Sequence, residues 1–438
     1  MDIKQGIINQ ENKIKYIVSN TKCGDEVVAL IRVNVGSRDE KDSIKGMSHI
    51  LEHMFFRGTE KFPTQKDLTS VLYRCGGKFN AYTSKDSTVF YISVSKKCIE
   101  QGLDVLSDAF YNSLFRQEDL EKEKKIVINE INDYLSDPST LMEYGLSELL
   151  YKSTRLEKDI AGSVKTVESI DIDMMKTFIN TYYNDNVIIS VSGNIDCKKI
   201  VQLIKRFFVN KVDYVQNNIE NNKNTKNNEI KKDKQIILYN DLHLKQKKFR
   251  MKFIKKTEEQ SFIGLGFVSY KNNDKKNYPL LIISEILTGY LGAELYKSLR
   301  GDHGLVYGVY SGLDTYIDTG NFSITCSTEN DTDKILKCII IILNEIKKIK
   351  IGEIDDTLFE DTKQNKINEI KQLKYEPSDL AERLADDLIY SKKILKLNEL
   401  EKIIKSVTIE SVIKVANELF LPGKLCISYT AHERVELG

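Results

Sequence analysis

The sequence predicts an α+β fold of two tandem homologous domains, on three observations. A short string recurs: residues 126–138 read IVINEINDYLSDP and residues 365–377 read NKINEIKQLKYEP, with the INEI strings and the closing prolines both 239 residues apart. The same order of elements surrounds each copy. Residues 216–235 (QNNIENNKNTKNNEIKKDKQ), near the middle of the 438-residue chain, are rich in Asn and Lys and nearly free of large apolar side chains. Such a stretch reads as a polar linker. The expected division is an N-terminal domain 1–215, the linker 216–235, and a C-terminal repeat 236–438. Self-similarity at one long period is what a duplicated unit leaves in a sequence.

The elements follow in matching order. Each half opens with a strand-like run of β-branched and apolar residues, Glu26–Val35 in the first and Ser261–Ser269 in the second. A helical pattern comes next, then another strand-like run, Thr88–Ser95 and Asn321–Cys326. The INEI…Pro string follows. Each half closes with a helical stretch and a β-rich run, Val187–Val191 and Leu425–Tyr429. The longest unbroken apolar run, Cys338–Leu343, is too short to span a bilayer and reads as a buried segment.

Composition narrows the function classes. Hydrophobic residues are 41% and charged residues 29%, a soluble globular balance. Lys+Arg number 65 against 64 Asp+Glu, a formal net charge of +1. That gives no electrostatic reason to expect nucleic acid or an acidic membrane as partner. Lysine pairs such as Lys124-Lys125 and Lys255-Lys256 read as solvated faces. The N-terminal Met-Asp-Ile-Lys-Gln-Gly has neither a basic-then-apolar signal nor an Arg-rich presequence. Seven scattered cysteines (23, 75, 98, 197, 326, 338 and 426), odd in number and without a C-x-x-C pair, suit buried thiols, not a disulfide framework or a cysteine zinc site. The expectation is a cytoplasmic or other reducing compartment.

Chemistry concentrates at one place. Only five histidines occur in the chain, and two fall in His49-Ile50-Leu51-Glu52-His53. With Gly46-Met47 before it, Ser48–Phe56 reads as a helix, and on a helix positions i, i+3 and i+4 share a face. His49 and His53 can then hold one ion, with Glu52 beside them in reach of a water on that ion. Two imidazoles and a carboxylate with one open position make a catalytic zinc set, so a third ligand is expected elsewhere. His243, His303 and His432 show no ligand spacing.

The motif H-x-x-E-H resembles that of the pitrilysin/insulinase family of zinc metallopeptidases, which includes the mitochondrial processing peptidases. The resemblance covers essentially the whole chain, and it is closest to the short members. It implies that each domain is a mainly antiparallel β-sheet packed with helices. The family's third ligand is a Glu 77 residues after the second motif His, which here is Glu130. An auxiliary Glu seven residues earlier is matched by Glu123, two helical turns away and on the same side. The resemblance thus implies one zinc ion per chain, held by His49, His53 and Glu130, with Glu52 as general base and Glu123 tuning the site.

Two further matches lie away from the metal set. Gly76-Gly77-Lys78-Phe79-Asn80-Ala81-Tyr82-Thr83 resembles the family's substrate strand, where the backbone at Asn80 and Ala81 would pair with an extended peptide. Arg300-Gly-Asp-His-Gly-Leu-Val-Tyr307 resembles the family's Arg and Tyr pair, which donate to the substrate carbonyl as its charge develops. Glu369 looks like the counterpart of Glu130 in a half without the histidine pair, so the second domain is expected to bind no metal. The resemblance implies a zinc endopeptidase acting on extended or unfolded peptides inside a chamber formed by two chains, a homodimer or a heterodimer with a related subunit. Arg300 and Tyr307 would then serve the partner's site. The alternative is a catalytically inactive structural or assembly subunit of the same fold.

Overall fold

A computed structural model describes residues 2–8, 14–183, 186–208, 246–391 and 393–436. The segment expected as the linker, 216–235, lies outside the described residues. The chain forms two compact units, and neither is a contiguous run of sequence. The first comprises Met1–Ile131, Asp159–Ile237 and Gln372–Ile394; the second comprises Asn132–Lys158, Leu238–Lys371 and Leu395–Gly438.

The first unit is built on six strands, β1 (Asp2–Ile7), β2 (Lys15–Asn20), β3 (Glu26–Val33), β4 (Lys78–Thr83), β5 (Thr88–Ser95) and β6 (Val187–Gly193), in the order β1-β2-β6-β3-β5-β4. All neighbours are antiparallel except β2 and β6. Strand β3 runs through the middle and is buried on both faces, which is why residues 27–31 read as an unbroken hydrophobic run; Arg32 beyond it is buried in an ion pair with Asp386 at 2.9 Å. Val27, Ala29, Ile31 and Val33 face a core shared with Phe90 and Ile92 of β5 and with the helices of the unit. Those helices are α1 (Met47–Met54), α2 (Gln65–Arg74), α3 (Ile99–Asn112), α4 (Gln117–Ser136), whose first part belongs here, α6 (Val164–Ser169), α7 (Ile172–Tyr182) and α8 (Cys197–Phe208). Val28 and Leu30, pointing the other way by the two-residue strand period, meet Ala381 and Ala385 of the helix Pro377–Tyr390. Leu380 and Leu384 of that helix cover Ile17. Cutting Leu384 back to Ala would cost about 2–5 kcal/mol.

The second unit repeats the plan with five strands, β7 (Arg250–Lys255), β8 (Gln260–Ser269), β9 (Val309–Thr315), β10 (Gly320–Glu329) and β11 (Cys426–Ala431), in the order β7-β11-β8-β10-β9. Here too one pair, β7 with β11, is parallel. One face packs on the helices Asn277–Thr288, Thr332–Ile351 and Ile409–Leu419. The other takes α5 (Pro138–Leu150), which starts at Pro138 behind an Asp137 side chain that accepts from the Thr140 amide at 2.7 Å. Gly264 of β8 makes room for α5, since a Cβ there would overlap Met142 Sδ. The two helices that begin at the repeated prolines are therefore exchanged. The one from the first half of the sequence covers the second sheet, and the one from the second half covers the first.

One expectation is corrected. Cys75, at the C-terminal cap of α2, and Cys98, just before α3, are joined as a disulfide. They lie 23 residues apart without any spacing motif, and the packing of α2 against α3 brings them together. Cys197, Cys326, Cys338 and Cys426 are buried free thiols, and Cys23 is half-buried. Among the described residues no helix is long and apolar enough to cross a membrane.

Candidate metal centre

Helix α1 is short, and its placement rests on tertiary contacts. It enters through Gly46 at φ +93°, a left-handed conformation where a side chain would also run into the Ala161 carbonyl. The first amides are satisfied by a buried carboxylate: Gly46 N and Ser48 N donate to Glu40 at 2.9 and 2.7 Å. Burial pushes Glu40 up to about 7, against the pull of those two amides. Met47, Ile50, Leu51 and Met54 enter the core, which turns His49, Glu52 and His53 to the opposite face.

Helix α4 presents the second carrier. Leu120, Val127 and Ile131 are buried, so Glu123 and Glu130 share the side that faces α1. The Glu130 Oε2 lies 3.8 Å from His49 Nε2 and 3.8 Å from His53 Nε2. The three ligand atoms all fall within 4.8 Å of one another. Tetrahedral coordination at about 2.0–2.1 Å needs separations on the order of 3.4 Å, so a small inward movement closes the set on an ion. Glu130 Oε2 is buried and has no hydrogen-bond partner among the described residues, the state of an atom that a cation would satisfy. Burial, and then His53, lower the pKa of His49 to about 4, keeping its imidazole neutral and fit to coordinate. These residues therefore fit a divalent metal, zinc above others from the donor set.

A polar network stands behind the ligands. His53 Nδ1 lies 2.8 Å from Glu123 Oε2. The carboxylate can only accept, so Nδ1 carries the proton and Nε2 keeps its lone pair for the ion. Glu123 is 2% exposed, and its other oxygen is ion-paired with Arg57. Glu52 Oε2 accepts a hydrogen bond from Thr83 Oγ1 at 2.7 Å. Burial, opposed by that bond and by His53, raises the Glu52 pKa, and Glu130 raises it further. A cleft of about 450 Å³ opens beside the set, lined by Glu52, His53, Phe56, Phe79, Asn80 and others.

Strand β4 carries Asn80 and Ala81 at the end of its sheet, paired among the described residues on one side only, with β5. Asn80 is exposed, and its Oδ1 accepts from the Ala81 amide at 2.9 Å. Arg300 and Tyr307 belong to the second unit. The Arg300 guanidinium sits 5.0 Å from the centre of the Tyr307 ring, and Tyr307 is 82% exposed. The structure thus gathers His49, Glu52, His53, Glu123 and Glu130 around one point, sets β4 next to α1, and pairs Arg300 with Tyr307.

Three further residues act at the site without a motif of their own. Thr83 sits inside the string that names Asn80 and Ala81. Arg57, four residues after His53, follows the motif at helical spacing. Glu40 acts from outside α1. In the second unit, Lys366 Nζ lies 2.6 Å from Glu285 Oε1 and 2.9 Å from Glu369 Oε2. Glu369, which the 239-residue offset aligns with Glu130, is thus ion-paired with an ammonium group.

Comparison with known proteins follows the same division. Residues 16–164 match the family described as Insulinase (Peptidase family M16), and residues 169–366 match its companion, Peptidase M16 inactive domain. The chain is 29% identical over 412 residues to the "Uncharacterized zinc protease YmxG" of Bacillus subtilis, covering 94% of each. Among solved structures, a protease from Helicobacter pylori superposes with a TM-score of 0.86 at 20% identity, over 98% of this chain and 99% of that one. A peptidase M16 inactive domain from Pseudomonas fluorescens does so at 0.82 and 15%, over the whole of both. At these identities the structural likeness is one of fold.

Proposed function

The chain belongs to the insulinase family of peptidases, family M16, and on that premise we propose that it is a zinc-dependent endopeptidase acting on extended or unfolded peptides. The observation that carries the reading is the meeting of His49 Nε2, His53 Nε2 and Glu130 Oε2 within 4.8 Å, with Glu52 on the same helical face. A zinc ion in this set supplies an activated water and a Lewis acid for the scissile carbonyl. Glu52 takes the proton of the attacking water and returns it to the leaving amine. Glu123 and Arg57 fix the His53 ring. The open edge of β4 at Asn80 and Ala81 holds the peptide by main-chain bonds, which makes recognition depend on extension more than on sequence. Arg300 and Tyr307 donate to the oxyanion, and in a dimer they do so for the partner's site.

A second reading, a subunit with the fold and no activity, draws support from the match of residues 169–366 to the family described as Peptidase M16 inactive domain. The complete set of His49, Glu52, His53 and Glu130 weighs against it. Quenched fluorescent peptides incubated with the purified chain test the choice, with and without phenanthroline and beside Glu52→Gln. The peptidase reading expects cleavage that the chelator abolishes, zinc restores and Glu52→Gln lacks. A zinc-loaded chain that cuts no peptide, alone or with a related subunit, overturns it.

A further inference from the structure

We propose that Thr83 is a positioning residue for the peptidase reaction, acting through Glu52 and tying the aim of that base to the strand that docks the peptide; the proposal rests on the peptidase reading above. Thr83 Oγ1 is 2.7 Å from Glu52 Oε2 and 3.5 Å from the Ser48 carbonyl. A hydroxyl has one proton to donate, and the shorter, charge-assisted contact takes it. One carboxylate oxygen is thereby held, and the other is left to receive the proton of a water.

The aim is set by the backbone on both sides. Thr83 is the last residue of β4 and pairs with Thr88, whose buried hydroxyl donates to the Val35 carbonyl at 3.0 Å. The turn beyond is closed by Ser84 N to Ser87 O at 2.7 Å. Ser37 N and Arg38 N donate to the Ser84 and Lys85 carbonyls, and the buried Arg38–Asp86 ion pair at 2.8 Å fastens the same two segments. Gly36 permits this approach, because a Cβ there would overlap the Ser84 carbonyl. The segment Gly36–Glu40 leads directly to Glu40, whose carboxylate caps α1. The β4–β5 turn and the helix that carries Glu52 are thus fastened to one short stretch of chain, and the hydroxyl meets the carboxylate without side-chain searching.

Position along β4 adds the coupling. Ala81 and Thr83 are two residues apart and point to one face of the sheet, where Ala81 joins the core beneath α1. A peptide paired with the backbone at Asn80 and Ala81 is therefore registered against the same strand that holds the base. Thr83 touches no reacting atom, so its effect belongs in turnover and not in docking.

The test compares wild type, Thr83→Val and Thr83→Ser in the full chain. Loss of a hydrogen bond to a charged group predicts a fall in kcat of about 10–100-fold for Thr83→Val, with KM, zinc content and melting temperature unchanged. Thr83→Ser keeps the hydroxyl and should return kcat to within about 3-fold of wild type. In a Glu52→Gln background, Thr83→Val should leave the Kd for an uncut peptide unchanged, because the effect passes through Glu52. Crystal structures of the zinc-loaded Thr83→Val and Thr83→Ser chains give a readout independent of turnover: the Glu52 carboxylate leaves its wild-type rotamer in the first and keeps it in the second. An unmoved Glu52, a normal kcat or a failed serine rescue in an active preparation overturns the proposal. A wild type that binds zinc and cuts nothing, alone or with a related subunit, overturns the peptidase reading, while the rotamer comparison still decides the role of Thr83.

Discussion

Replacing Glu123 by Ala should weaken zinc binding without touching a metal ligand. The carboxylate accepts from His53 Nδ1 at 2.8 Å in a setting where Glu123 is 2% exposed. A buried hydrogen bond with one charged partner contributes about 1.5–3 kcal/mol. Its loss frees the His53 ring to turn and lowers the basicity of Nε2. At about 1.4 kcal/mol per factor of ten, that range corresponds to a zinc Kd roughly 10–100-fold weaker, the span expected for the hydrogen-bond partner of a ligating histidine. Arg57 loses its ion-pair partner in the same variant, but its side chain is 24% exposed and can turn to water, so the metal-free protein should lose only about 1–2 kcal/mol. Glu123→Gln keeps an acceptor for His53 and should weaken zinc by less than about tenfold. Competition against a chromophoric chelator gives the Kd, and urea unfolding of the metal-free chains gives the stability. If Glu123→Ala holds zinc within about threefold of wild type while losing stability, Glu123 serves Arg57 and the fold, and the reasoning about His53 fails.

Three other outcomes follow from the same geometry. Because burial lifts Glu40 to about 7 in the folded protein from 4.5, the folded state binds the extra proton. The stability this provides is complete below about pH 4.5 and is lost as pH rises through about 7, a change of about 3 kcal/mol. Urea unfolding of the metal-free protein across that window should show Glu40→Gln gaining on wild type by this amount, and parallel curves would contradict the assignment. Lys366→Met leaves Glu285 and Glu369 facing each other without a cation and should cost about 2 kcal/mol in thermal or urea unfolding; an unchanged midpoint would mean that the ammonium is only a surface partner. Glu52→Gln and Arg300→Ala chains, each inactive alone, should recover part of the activity when co-expressed if Arg300 serves the partner's site, and mixed dimers as inactive as either parent would rule that out.

The sequence exposed what local periodicity governs and concealed what long-range contact governs. His49, Glu52 and His53 share a face because of helical spacing, which five residues are enough to reveal. Glu130 lies far along the chain, and a family resemblance was needed to connect it to the histidines. The repeat showed through the INEI string and the matching strands β3 with β8, β5 with β10 and β6 with β11. Glu40, Arg57 and Thr83 were silent, since each acts on a neighbour in space; Arg57 stands four residues after His53, but that spacing does not name Glu123 as its partner. The Cys75–Cys98 disulfide was missed for the same reason: two half-buried cysteines on packed helices look, in sequence, like any scattered thiols. The reach of the helices at Pro138 and Pro377 was hidden too, because an apolar face does not say which sheet it will cover.

That exchange of helices has a consequence for how the chain matures during synthesis. The last strand of the first sheet is complete at Gly193, yet the helix that closes the sheet's second face is Pro377–Tyr390. Until the ribosome has delivered that helix, Ile17, Val28, Leu30, Val89 and Ile188 have no native cover. A protein of two simple tandem domains can finish the first before beginning the second. Here the first unit waits on the helix Pro377–Tyr390, far beyond its last strand, and a nascent chain paused before that helix carries an open apolar sheet face.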